Sequence, residues 1–169
     1  RRWPSSRSSS TTKSSAASSG VSNTTLAAGQ IANGSSAGAT VVGVTSTPFK
    51  CPPAPSETAL MMHDFLVERG LRGRSTIDLV MPLGVPIPPS PKASEALLVA
   101  FEERGIGWHP ASQVVSLDAD RRVAVIADRS EIAFDMFLGV PVHRAPEVVV
   151  AAGLTVDGWI PVDSLTLET

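Results

Sequence analysis

Apolar and polar positions along this chain follow two alternating periods, and each change of period marks an element. Ala39-Thr40-Val41-Val42-Gly43-Val44 is a short apolar run rich in β-branched side chains, the pattern of a buried strand. Residues 76–81 repeat that pattern, and Met136–Val140 repeats it again. Between the first two runs, residues 56–69 read as a helix. Pro55 or Ser56 suits its start, Glu57 complements the positive end of its dipole, and Gly70 suits the position just past its end. Ala93, Ala96, Leu97, Ala100 and Phe101 then form a stripe with helical spacing. Ser90-Pro91 opens that second helix as N-cap and first residue, and Gly105 closes it.

The last third reads mostly as short strands. Ile106–His109 is one; residues 113–117 and 122–127 flank the turn Asp118-Ala119-Asp120; residues 131–134 alternate after a second turn. Residues 146–152 are predicted as a short helix and residues 159–162 as a last strand. The order is β-α-β-α-β, a three-strand meander, then β. Strands alternating with helices predict a parallel sheet with both faces covered. The expected architecture is α/β: a Rossmann-like, three-layer domain over residues 39–143 with the meander as a crossover.

Composition divides the chain. Residues 1–38 hold 12 serines, four basic residues (Arg1, Arg2, Arg7, Lys13) and no acid. Such a stretch buries too little apolar surface to offset its ordering entropy, so a disordered Ser-rich tail is expected. A transit peptide or a twin-arginine signal are the other readings, although no apolar h-region follows Arg1-Arg2. Residues 39–169 carry 10 basic and 16 acidic side chains, a net charge of −6. An acidic domain argues against nucleic acid as a partner. No apolar run approaches the roughly 18 residues of a transmembrane segment. A cytoplasmic protein, or one peripheral to a membrane, is expected.

A dinucleotide site would occupy the first strand–loop–helix unit. It needs glycines there, and an acid at the end of the second strand. This loop has only Gly43, and the second strand runs into Met81-Pro82-Leu83. A tight NAD(H) site is therefore not expected. Cys51 stands in the loop instead, beside Lys50 and just ahead of a helix N-terminus, two features that favour a thiolate. The alternative is an inert, buried cysteine. Cys51 is the only cysteine, so no disulfide forms within the chain, and no spacing of Cys, His and acids matches a metal site.

The string Thr47-Pro48-Phe49-Lys50-Cys51-Pro52-Pro53-Ala54-Pro55-Ser56-Glu57 resembles the cysteine loop of sulfide:quinone oxidoreductases and flavocytochrome c sulfide dehydrogenase flavoproteins. Leu138-Gly139-Val140-Pro141-Val142-His143-Arg144-Ala145-Pro146 is similar to the strand-plus-proline segment of those families. Both belong to the FAD-dependent pyridine nucleotide-disulfide oxidoreductases. The resemblance implies a degenerate NAD(P)-binding-like domain over 39–143 and a partial return segment toward an FAD domain over 144–169. It implies Cys51 as the redox cysteine with Lys50 as its electrostatic neighbour, and Pro48, Phe49, His143 and Arg144 toward an FAD cofactor. The implied partners are a small-molecule electron donor such as sulfide and a quinone-type acceptor. Residues 1–38 lack the glycine fingerprint such a family places ahead of this region, and a second cysteine is missing. A fragment of the longer enzyme is therefore the expectation. A catalytically inactive Rossmann-like interaction domain and an NADH dehydrogenase-like flavoprotein are the alternatives.

Overall fold

The computed structural model describes residues 38–169. The expectation of a disordered tail falls on residues outside that range.

The strands form where the apolar runs placed them. β1 spans Ala39–Val44, β2 Thr76–Val80, β3 Ile106–His109, β4 Val114–Asp118, β5 Val123–Ile126, β6 Glu131–Ala133 and β7 Met136–Val140. The helices are α1 (Ala54–Glu68), α2 (Pro91–Glu103) and α3 (Glu147–Ala151). Four strands make one parallel sheet in the order β3-β2-β1-β7. The meander β4-β5-β6 is a separate antiparallel sheet that carries the chain from β3 to β7.

Alternation along the strands builds three layers. Val42, Ile77, Leu79 and Ile106 point to one face and pack with Ala59 and Leu66 of α1 and Phe101 of α2. Val41 and Val80 point to the other and pack with Val114, Ala124, Ile126 and Phe134 of the meander region. The period of two therefore sends neighbouring residues Val41 and Val42 into different cores. Both faces of the parallel sheet are covered, which is why its strands read as continuous apolar runs.

Glycine ends both long helices. Gly70 has φ +65°, its N–H bonds Val67 O at 2.9 Å, and the Leu71 N–H bonds Leu66 O at 2.8 Å. This pairing satisfies the last carbonyls of α1 and needs a residue that tolerates a left-handed backbone. Gly105, at φ +61°, follows the end of α2, and its N–H bonds Glu102 O at 3.1 Å.

Two expectations are corrected. Helix α1 begins at Ala54, with Pro53 as N-cap and Pro55 inside the first turn. It starts ahead of the expected residue 56, because prolines fit the first turn, where N–H groups have no partner inside the helix. Ser90 is the N-cap of α2, but its hydroxyl makes no capping bond. Residues 159–162 form no strand; only an isolated bridge joins Val156 and Trp159. A strand needs a neighbour to take its backbone hydrogen bonds, and this segment lies away from both sheets with Ile160 and Val162 exposed.

Candidate functional site

In a parallel sheet of order β3-β2-β1-β7, the chain reverses its winding between β1 and β7. Ligands of such sheets lie beyond the strand C-termini at that point. Here the two strands are tied at their ends. The Thr45 N–H and Oγ1 both donate to Val140 O, at 3.2 and 2.8 Å. Gln113 Nε2 donates to Thr45 O at 3.0 Å and fastens the meander to the same corner.

Two segments leave this corner: the loop from Thr45 to Pro53, and the stretch after Val140. They meet at one bond, from the Lys50 N–H to His143 Nδ1 at 2.8 Å. A backbone amide can only donate, so Nδ1 accepts and the ring is neutral in this geometry, its proton on Nε2. Cys51 follows directly. It is exposed, and its φ is +58°, the left-handed region that non-glycine residues rarely enter. Its carbonyl accepts the Ala54 N–H at 3.0 Å, at the entry to α1. Cys51 is thus a free thiol on a strained backbone, ahead of a helix N-terminus.

The structure brings together some of the residues singled out in the sequence. Lys50, Cys51 and His143 share the switch-point corner. Phe49 is partly buried in the same loop, whereas Pro48 and Arg144 are exposed. Thr45, Val140 and Gln113, which hold the corner together, carried no signal in the sequence; their partners lie 68 to 95 positions away. A second cluster was also missed. His109 Nε2 lies 2.8 Å from Asp78 Oδ1 on adjacent strands, and Gly107 leaves room for the Asp78 carboxylate, which a Cβ there would meet. An apolar cavity of about 440 Å³ lies between α2 and the loop before it, lined by Val85, Pro88, Pro91, Leu98 and Val99. No residue singled out for chemistry lines it.

The loop does not fit a dinucleotide pyrophosphate. Such a group needs a tight glycine turn and free N–H groups at the helix start. The loop here is nine residues long, and Pro52, Pro53 and Pro55 remove three N–H groups where the phosphate would sit. The one glycine on the strand side, Gly43, has no room to spare: a Cβ would stand 2.6 Å from Phe137 Cε2 and 2.8 Å from Val114 Cγ2. Among the described residues no helix is long and apolar enough to cross a membrane.

No family model matches the chain. Solved structures share its fold. The sulfide:quinone oxidoreductase of Aquifex aeolicus aligns with a TM-score of 0.55 at 23% identity, covering 68% of this chain and 28% of that one. A chain of the Tetrahymena thermophila mitochondrial ATP synthase aligns at 0.54 and 18% identity, covering 75% and 33%. A pyridine nucleotide-disulfide family oxidoreductase of Enterococcus faecalis V583 aligns at 0.51 and 16% identity, covering 75% and 28%. The chain spans a third or less of the length of each. Its parallel sheet, backed by helices on one face and a meander on the other, is the α/β fold it shares with sulfide:quinone oxidoreductase and a pyridine nucleotide-disulfide oxidoreductase.

Proposed function

We propose that this chain supplies the redox-cysteine domain of a flavin-dependent oxidoreductase, one that takes electrons from sulfide or a related sulfur donor and passes them to a quinone or other acceptor. The observation that carries this reading is Cys51. It is exposed, held at φ +58°, and placed beyond the ends of β1 and β7, where the fold would otherwise cradle a nucleotide. Strained backbone at a ligand-binding corner points from geometry to function. The fold shared with the A. aeolicus enzyme supports the choice of chemistry.

The roles follow from the site. Cys51 is the sulfur nucleophile: its thiolate attacks an S–S bond of a polysulfide, forming a new S–S bond to Cys51 as the old one breaks and the remaining sulfur chain leaves as an anion. By the family resemblance Pro48, Phe49, His143 and Arg144 would face the flavin, which would supply the two-electron acceptor. The pyrophosphate of FAD is held outside residues 38–169, since the β1–α1 loop does not fit it. Attachment to a membrane surface, where a quinone is reached, belongs to the same proposal.

A disulfide probe tests this directly. The chain has one cysteine, so every thiol signal is Cys51. The folded chain should react severalfold faster than the same chain unfolded in urea. Equal rates would remove Cys51 from the chemistry.

A second reading has its own support: the fold also aligns with a chain of an ATP synthase. In that reading the chain is a Rossmann-like interaction domain without catalysis. A colourless protein that takes up no added FAD, with a Cys51 no faster than in urea, favours it.

A further inference from the structure

We propose that His143 is the positioning residue of Cys51, acting through the Lys50 amide rather than on the sulfur itself. The inference rests on the reading of Cys51 as the reactive thiol and adds what holds it in place. Between Thr45, which is tied to Val140, and Cys51, whose carbonyl accepts the Ala54 N–H, the Lys50 N–H is the anchored backbone group. Its acceptor comes from the other segment of the corner, 93 positions along the chain. Cys51 therefore has one fixed hydrogen bond on each side: Lys50 to His143 before it, and its own carbonyl to α1 after it.

That clamp addresses a definite cost. A left-handed φ in a residue with a Cβ is disfavoured, so a free loop would relax out of it. Released from His143, the Lys50–Cys51 peptide can rotate and φ of Cys51 can return to a negative value. The thiol would then leave its orientation at the switch point. The chemistry of the clamp is specific. It needs an unprotonated acceptor one bond beyond Cγ of residue 143. Histidine offers Nδ1 there. Asparagine offers Oδ1 at the same place, and glutamine carries its oxygen one bond too far.

Four proteins test it: the wild-type chain, His143→Ala, His143→Asn and His143→Gln, each with its thermal midpoint recorded. Two readouts are taken: exchange protection of the Lys50 amide, and the rate of Cys51 with a disulfide probe. The expected result is loss of Lys50 protection in the Ala and Gln variants and retention in Asn. The rate of the first two should fall most of the way to the unfolded value, since small misplacements of a reacting group slow it. Asn should stay within about twofold of wild type on the same scale. Equal Lys50 protection in wild type and His143→Ala overturns the clamp, as does an Asn variant that behaves like Ala. Loss of protection without any change in the thiol rate also overturns it, because the hold would then not govern Cys51. A wild-type thiol no faster than the unfolded chain, with the protection pattern as expected, instead strikes the reading of Cys51 as reactive.

Discussion

The Lys50 amide donates to His143 Nδ1 at 2.8 Å across 93 positions of sequence. That one bond joins the two segments leaving the switch point of the parallel sheet, and it sits one residue from the free thiol.

Strain at Cys51 can be relieved by removing the side chain. Glycine adopts φ +58° without the Cβ penalty, so Cys51→Gly should raise unfolding stability by about 1 kcal/mol while abolishing the thiol signal. Urea unfolding with an unchanged slope measures this. A less stable variant would mean that the cysteine side chain makes favourable contacts that outweigh the strain.

Gly43 lies at the sheet end of the same corner, and a methyl group there has nowhere to go. Its Cβ would stand 2.6 and 2.7 Å from the Phe137 ring and 2.8 Å from Val114. Gly43→Ala should cost about 1–3 kcal/mol by overpacking. Adding Phe137→Leu should recover part of that loss, since the shorter side chain vacates the space. Additive losses in the double variant would place the clash elsewhere.

The helix-facing core depends on Phe101, which is 1% exposed and stacks at 5.8 Å on Trp108. Phe101→Ala should destabilise the chain by about 3–5 kcal/mol. Trp108 emission should also shift to the red as water reaches the ring. A cost below about 1 kcal/mol would mean the site collapses around the cavity.

On the meander, the Arg121 guanidinium bonds Glu131 through two nitrogens, at 3.0 and 2.5 Å. Hydrogen bonding from Arg121 holds the Glu131 carboxyl below its ordinary range. A carboxylate with a depressed folded value contributes stability above its unfolded pKa, about 4.3, and loses it as pH falls through the folded value. Arg121→Gln should therefore be slightly less stable than wild type near pH 7, with the gap closing in acid. The pair is exposed, so the gap should also shrink with added salt. A gap that is the same at neutral and acid pH would assign the effect of Arg121 to packing.

Much of the architecture was legible along the chain. The elements of residues 39–140 came from local signals: β-branched runs, a 3.6-residue stripe, and glycine at helix ends. Those signals are legible because they report backbone preferences of the residues themselves. The segment after Val140 was less legible. Residues 159–162 have strand-like composition, but composition does not supply the neighbour that a strand requires. The start of α1 lies earlier than expected, since Pro53 and Pro55 fall where a helix start has no N–H to lose.

Local signals along the chain were enough for the element order, the three-layer class and the identity of the one thiol. The sequence also showed that the loop lacks the glycines of a nucleotide cradle. Folding was needed to set β7 beside β1, and so to put the switch point at the Cys51 loop. It alone set Cys51 in the left-handed region and brought His143 to Lys50. The physical reason is range. Periodicity and capping act over a few residues, whereas the orientation of a loop side chain follows from hydrogen bonds between segments that only the packed sheet brings together.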